Sequence, residues 1–129
     1  MPRLLFLAAA ILAGLGVAAG SFGAHGLRHV LEATGRADNW ETAVRYCMYH
    51  ALALVAVGLA ATLPQAAAVR GLLSAAGLCF LVGTLVFSGC LGALAVSGVR
   101  VLGAIVPIGG VLFLVGWGLM AVAALRLPA

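Results

Sequence analysis

Lysine is missing altogether from this 129-residue chain, and the acidic residues are reduced to Glu32, Asp38 and Glu41. Charged residues make up 8% of the sequence and apolar residues 65%, whereas a soluble domain carries about 25% and about 45 to 50% respectively. So few charges cannot cover a water-facing globule, which excludes a soluble fold. The formal charge of +4 comes from seven arginines scattered singly between Arg3 and Arg126. Without a basic patch nucleic acid is not expected as a partner, and anchoring at a membrane interface accounts better for the charge. Apolar residues do not alternate with polar ones, which rules out a transmembrane barrel.

What is present instead is a set of long apolar runs, each bounded by arginine: Leu4 to Leu27, Tyr46 to Val69, Gly71 to Val99 and Val101 to Leu125. A helix needs about 20 such residues, rising 1.5 Å each, to cross roughly 30 Å of hydrocarbon. The expected fold is therefore all-α and integral to the membrane, a single domain with helices near 4–24, 46–63, 72–96 and 102–125. The first run also has the apolar stretch and small residues of a secretory signal, but we expect it to remain as a membrane helix.

Six of the ten charges fall in the polar segment 28–45. Arg28 with Glu32, and Glu41 with Arg45, have the i,i+4 spacing of helical ion pairs, and Val30, Leu31 and Trp40 can dip into the interface. This segment is expected to be an interfacial helical loop, with a turn at 34–39 and Asp38 or Asn39 as N-cap of the next helix. Short connections around 64–70 and 97–100 make consecutive helices antiparallel neighbours, giving an antiparallel four-helix bundle. Arg3, Arg70 and Arg126 lie on one side and Arg28, Arg36, Arg45 and Arg100 on the other. That near balance leaves orientation open; termini in the cytoplasm is the working expectation.

Chemistry-bearing residues are few. Counted from the nearest arginine or loop, His50, Pro107 and Ser88 are expected roughly 7, 10 and 13 Å from one membrane face, with His25 closing the first span on that side. Polar groups facing lipid are costly, so they should turn inward and pair. The residues thus point to a candidate polar site made of His25, Arg45, Tyr46, Tyr49, His50, Ser88 and Pro107. The same residues also have plain roles: the tyrosines suit the interfacial aromatic belt, Arg45 can snorkel, and His50 can bond a carbonyl or hydroxyl.

Paired histidines also suit haem, which stays as an alternative although no cofactor is expected. A catalytic zinc needs three ligands and a base, and the acids all lie in the first loop. Cys47, Cys79 and Cys90 lack metal spacing and read as small packing residues. No catalytic residue and no metal site is expected.

Gly16, Gly20 and Gly23 on the first helix, and Gly89 and Gly92 on the third, make small faces for close helix contact, within or between chains. In the fourth helix Pro107 frees a carbonyl and permits a kink that Gly109 and Gly110 enhance. Ser88, at similar depth, is placed to satisfy that carbonyl.

Four ordered motifs carry a resemblance: GSFGAHGL from Gly20, WETAVRYCMYHALAL from Trp40, FSGCL from Phe87 and PIGGVLFLVGW from Pro107. Together they resemble domain-of-unknown-function family 423, small bacterial inner-membrane proteins with a eukaryotic relative called transmembrane protein 256. The resemblance spans nearly the whole chain and implies four membrane helices in the bacterial inner membrane. His25, Tyr46, His50, Ser88 and Pro107 match the family motifs. Cys47, Cys90 and Gly92 stand where family members commonly have other residues, which argues against a role for the cysteines. No activity is implied.

On function, the glycine faces and the lack of catalytic groups point first to an interaction or accessory subunit of a membrane assembly, or to a homo-oligomer, with membrane lipids and a protein or second copy as partners. The alternative is a small-molecule, lipid or proton-handling protein using a polar site of His25, His50 and Ser88.

Overall fold

The computed structural model describes residues 1–128, which form five α-helices and one 3-10 turn. Helix α1 spans Pro2–Ala24, α2 Arg28–Thr34, α3 Ala37–Ala60, α4 Arg70–Ser97 and α5 Val101–Leu125, with a 3-10 turn at Pro64–Val69 before α4. All but α2 are long and apolar enough to cross a membrane. The protein is all-helical and integral to the membrane.

The first loop has the expected order of helix, turn and helix start, with a shorter turn than expected. Its first half is the short helix α2, ended by Gly35 in the left-handed conformation at φ 67°, which a residue with a Cβ adopts only at a cost. Leu31 of α2 is buried, and the Thr34 hydroxyl donates to the carbonyls of Leu31 and Ala95, holding α2 against the end of α4. The second half is the start of α3, which begins at Ala37, two or three residues earlier than a cap at Asp38 or Asn39 would put it, and runs on unbroken to Ala60. Asp38 lies in its first turn, where an anion suits the helix dipole, and Glu41 pairs with Arg45 one turn on. The charges that suggested a boundary at residue 46 thus sit on the helix itself. Neither Asp38 nor Asn39 is the N-cap; Arg36 holds that position and makes no side-chain capping bond.

At the other face the Arg70 guanidinium donates to the Ala61 carbonyl at 2.9 Å, satisfying a free acceptor at the end of α3. Gly98, at φ 71°, turns α4 into the approach to α5.

Packing is sequential: α1 lies on α3, α3 on α4, and α4 on α5, while α1 touches α4 only lightly. The core runs along α3 and α4, with Ala51, Leu54, Val57, Ala76 and Phe80 almost fully buried. Glycines set how closely the helices approach. A Cβ on Gly109 would meet the Phe87 backbone nitrogen at 2.6 Å and the Gly83 carbonyl oxygen at 2.8 Å, so α4 and α5 touch backbone to backbone. Helix α5 continues through Pro107 as one element. Among the hollows left between the helices, one opens between α1 and α4 and another between α3 and α5.

Candidate functional site

His50 is the most buried ionisable group, only 4% exposed. It lies thirteen residues into α3, about 20 Å from the helix start, and ten residues before the helix end at Ala60. Because α3 starts at Ala37, His50 lies midway along the helix, while it remains five residues, about 7 Å, beyond Arg45.

Four neighbours fix its ring. The imidazole stacks on Phe113 of α5 with centroids 3.5 Å apart and planes 5° from parallel, and Phe80 of α4 lies at 5.5 Å. The Trp117 indole N–H approaches His50 Nε2 at 3.3 Å, and His50 Nδ1 lies 2.8 Å from the Tyr46 carbonyl. Indole can only donate and a carbonyl can only accept. Nε2 therefore carries the lone pair and Nδ1 the proton, so the imidazole is neutral with both nitrogens used. That satisfies a polar ring in hydrocarbon without a charge.

Around His50 the α3/α5 cleft is about 630 Å³. Tyr46, Tyr49, Phe87, Phe113 and Trp117 line it, together with Pro107 and Gly110. Tyr46 stacks on Phe87 with centroids 4.7 Å apart.

Ser88 is next to Phe87 yet faces the other way. With Thr84, Leu85, Gly89 and Gly92 it forms the α4 wall of the α1/α4 cleft, opposite Leu12, Gly16 and Ala19 of α1. This cleft is about 210 Å³, and Cys47, Val44 and Trp40 of α3 also line it. Cys47 donates to the Leu12 carbonyl at 3.5 Å and Thr84 to the Phe80 carbonyl at 2.7 Å. The Ser88 hydroxyl is buried and has no hydrogen-bond partner, so it does not satisfy the carbonyl freed by Pro107.

The expected shared site therefore divides. Tyr46, Tyr49, His50 and Pro107 come together in the α3/α5 cleft, and Ser88 stands in the other. Arg45 is held by Glu41 at the exposed start of α3. His25 is exposed as the cap residue of α1. Gly23 packs on Trp40, about 15 Å along the helix axis from His50, and His25 lies two residues further toward the membrane surface. The two histidines are not opposed across one cavity, so they do not offer an axial pair for haem. Among the described residues, no three His, Cys, Asp or Glu side chains gather as metal ligands.

The glycine faces also divide. Gly16, Gly20 and Gly23 pack within the chain, against Met48, Val44 and Trp40 of α3, and Gly92 faces Trp40. Gly109 and Gly110 lie against Phe87. Gly89 alone of these has open space where its Cβ would be. Sequence reasoning missed the aromatic wall of α5 and the buried Gly83 and Gly116. The signal was there: Gly109, Phe113, Gly116 and Ala123 are all buried at helical spacing on one stripe of α5.

These features define a small polytopic membrane protein with one cleft between α1 and α4 and another between α3 and α5. The family described as protein of unknown function (DUF423) matches residues 19–110, and the chain belongs to that family. It is 39% identical over 128 residues to a UPF0382 membrane protein of Staphylococcus epidermidis, covering 96% of this chain and 97% of the relative. It is 45% identical over 102 residues to a UPF0382 membrane protein of Haemophilus influenzae, covering 78% and 77%. It is 38% identical over 126 residues to the UPF0382 inner membrane protein YgdD of Escherichia coli, covering 97% and 92%. No solved structure matches the chain. The protein is an integral protein of the inner membrane.

Proposed function

We propose that the protein acts as an interaction subunit, receiving a transmembrane helix of a partner or of a second copy in the α1/α4 cleft. The observation that carries this reading is the unpartnered Ser88 hydroxyl, buried in a cleft walled by Gly16, Ala19, Gly89 and Gly92. In hydrocarbon no water is at hand to satisfy such a group, and small residues let another backbone come close enough to do so. The light contact between α1 and α4 leaves room for that approach. His25, His50 and Ser88 do not share a cavity, which counts against small-molecule or proton handling by that trio.

A photocrosslinking residue at exposed Leu85, on the wall of the cleft, tests the reading in native membranes. A discrete protein adduct is expected, at twice the chain mass for a second copy or another fixed mass for a different partner. Gly89→Leu fills the cleft where the structure has open space, so it should remove the adduct without changing helicity. Adducts to lipid alone would sink the reading.

A further inference from the structure

The α3/α5 cleft has a chemistry of its own, and its occupancy is independent of whether a helix docks between α1 and α4. Its lining contains no Asp, Glu, Lys or Arg. His50, its one ionisable base, has both nitrogens committed to Trp117 and Tyr46. An ion, a phosphate or a charged headgroup would find no counter-charge there, and a charge without a partner is strongly disfavoured in hydrocarbon. An occupant must therefore be neutral. Because the cleft lies along two membrane-spanning helices, the occupant must also arrive dissolved in the bilayer.

The walls narrow the class further. Tyr46, Phe87, Phe113 and Trp117 are aromatic, and several rings already stack face to face. An alkyl chain gains nothing specific from such faces, whereas a planar ring gains offset stacking at about 4.5 to 7 Å between centroids. At about 630 Å³ the cleft falls within the roughly 300 to 1,000 Å³ typical of small-molecule sites.

The polar handles are the phenols of Tyr46 and Tyr49. Both residues are exposed, at 37% and 54%, and neither hydroxyl has a hydrogen-bond partner among the described residues. Their rings stand 5.9 Å apart on one side of α3. Helical side chains lean toward the helix N-terminus, so both hydroxyls lie toward the mouth of the cleft nearer the first loop. There they offer two donors to acceptor atoms on an entering ring.

We propose that this cleft binds a neutral, membrane-dissolved molecule with a planar, carbonyl-bearing ring, of the quinone class. The ring stacks among Phe87, Phe113 and Trp117, the Tyr46 and Tyr49 hydroxyls donate to its oxygens, and its apolar tail remains in the lipid. His50 shapes the floor through its bonds to α3 and α5. The inference concerns binding, and no electron transfer is assigned.

The chain's two tryptophans make the test direct. Trp117 forms a wall of this cleft, whereas Trp40 donates to the Ala19 carbonyl between α1 and α3. The full chain is placed in phosphatidylcholine nanodiscs and titrated with decylubiquinone, whose ring quenches indole fluorescence. Trp40→Phe, which keeps Trp117, should show saturable quenching; Trp117→Phe, which keeps Trp40, should show only the linear quenching of partition into lipid. Adding Tyr46→Phe and Tyr49→Phe to Trp40→Phe should weaken the saturable phase at least fivefold, as expected for lost hydrogen bonds of about 1 kcal/mol or more. Gly110→Leu in the wild-type chain provides a second arm. A Cβ at Gly110 meets only ordinary contacts with the Phe87 ring, so the variant should fold, fill the cleft and abolish saturation. Equal linear quenching of both tryptophans overturns the proposal. So does saturable quenching that decanol displaces as well as decylubiquinone does, which would mark a site for alkyl chains, or saturation undiminished by the tyrosine substitutions.

Discussion

Trp117 on α5 donates its indole N–H to His50 on α3 at 3.3 Å, across a cleft over which these two helices barely meet. This bond and the stack of His50 on Phe113 tie α5 to α3, in addition to the packing of α5 on α4. His50→Phe keeps a flat ring and the stack but leaves the Trp117 N–H unpaired in hydrocarbon, which should cost about 1 to 3 kcal/mol. Thermal unfolding in detergent should show a lower Tm. Trp117→Phe on top of His50→Phe should cost less than the separate losses imply. The coupling should be about 0.6 kcal/mol, the average measured for hydrogen bonds between membrane helices, and at most about 1.7 kcal/mol. Strict additivity would show that the two side chains do not interact.

Gly109 should be the least replaceable glycine of α5. A Cβ there meets backbone atoms of Phe87 and Gly83, which cannot turn aside as a side chain can. Gly109→Ala should push α4 and α5 apart and lower stability by about 1 to 3 kcal/mol. Gly118→Ala, with nothing near its Cβ, should be neutral or slightly stabilising because alanine favours the helix. Denaturant titration of helicity compares the two.

The Trp40 indole donates to the Ala19 carbonyl at 2.9 Å, fastening the end of α1 to the start of α3. Trp40→Phe should cost about 0.5 to 1.5 kcal/mol, the net worth of one hydrogen bond, and leave the fold intact. Hydrogen exchange should rise in the last turns of α1 and stay unchanged in α5.

Cys47 is buried and donates to Leu12, while Cys79 and Cys90 are partly exposed. A membrane-permeant maleimide should modify Cys79 and Cys90 in the folded protein and reach Cys47 only after denaturation. Mass spectrometry of the labelled peptides gives the order. Early labelling of Cys47 would mean that α1 opens readily from α3.

Much of this protein is legible in the residues alone. Arginines at the ends of apolar runs mark the number of membrane helices because a charge cannot remain in hydrocarbon without a partner. Gly35 and Gly98 fall where helices end, since both adopt a left-handed conformation there. The start of α3 is not at Arg45, where charge alone would put it. Charge marks where lipid begins, whereas hydrogen bonding and an i,i+4 ion pair carry a helix past that level.

The candidate site shows the limit. Depth along a helix comes from counting residues, and counting puts His50, Ser88 and Pro107 within one leaflet. Which way each side chain points is set by the rotation of the helix against its neighbours, and in lipid the apolar faces of a helix are too alike for sequence to fix it. Hydropathy therefore determined the membrane class, the four spans and their antiparallel order. Tertiary packing alone decided that Phe87 and Ser88, adjacent in sequence, open onto different clefts, that His25 remains at the surface, and that His50 finds its partner in Trp117. The physical reason is that those outcomes depend on close contacts at residues such as Gly83, Gly109 and Phe113, which exist only once the helices have docked.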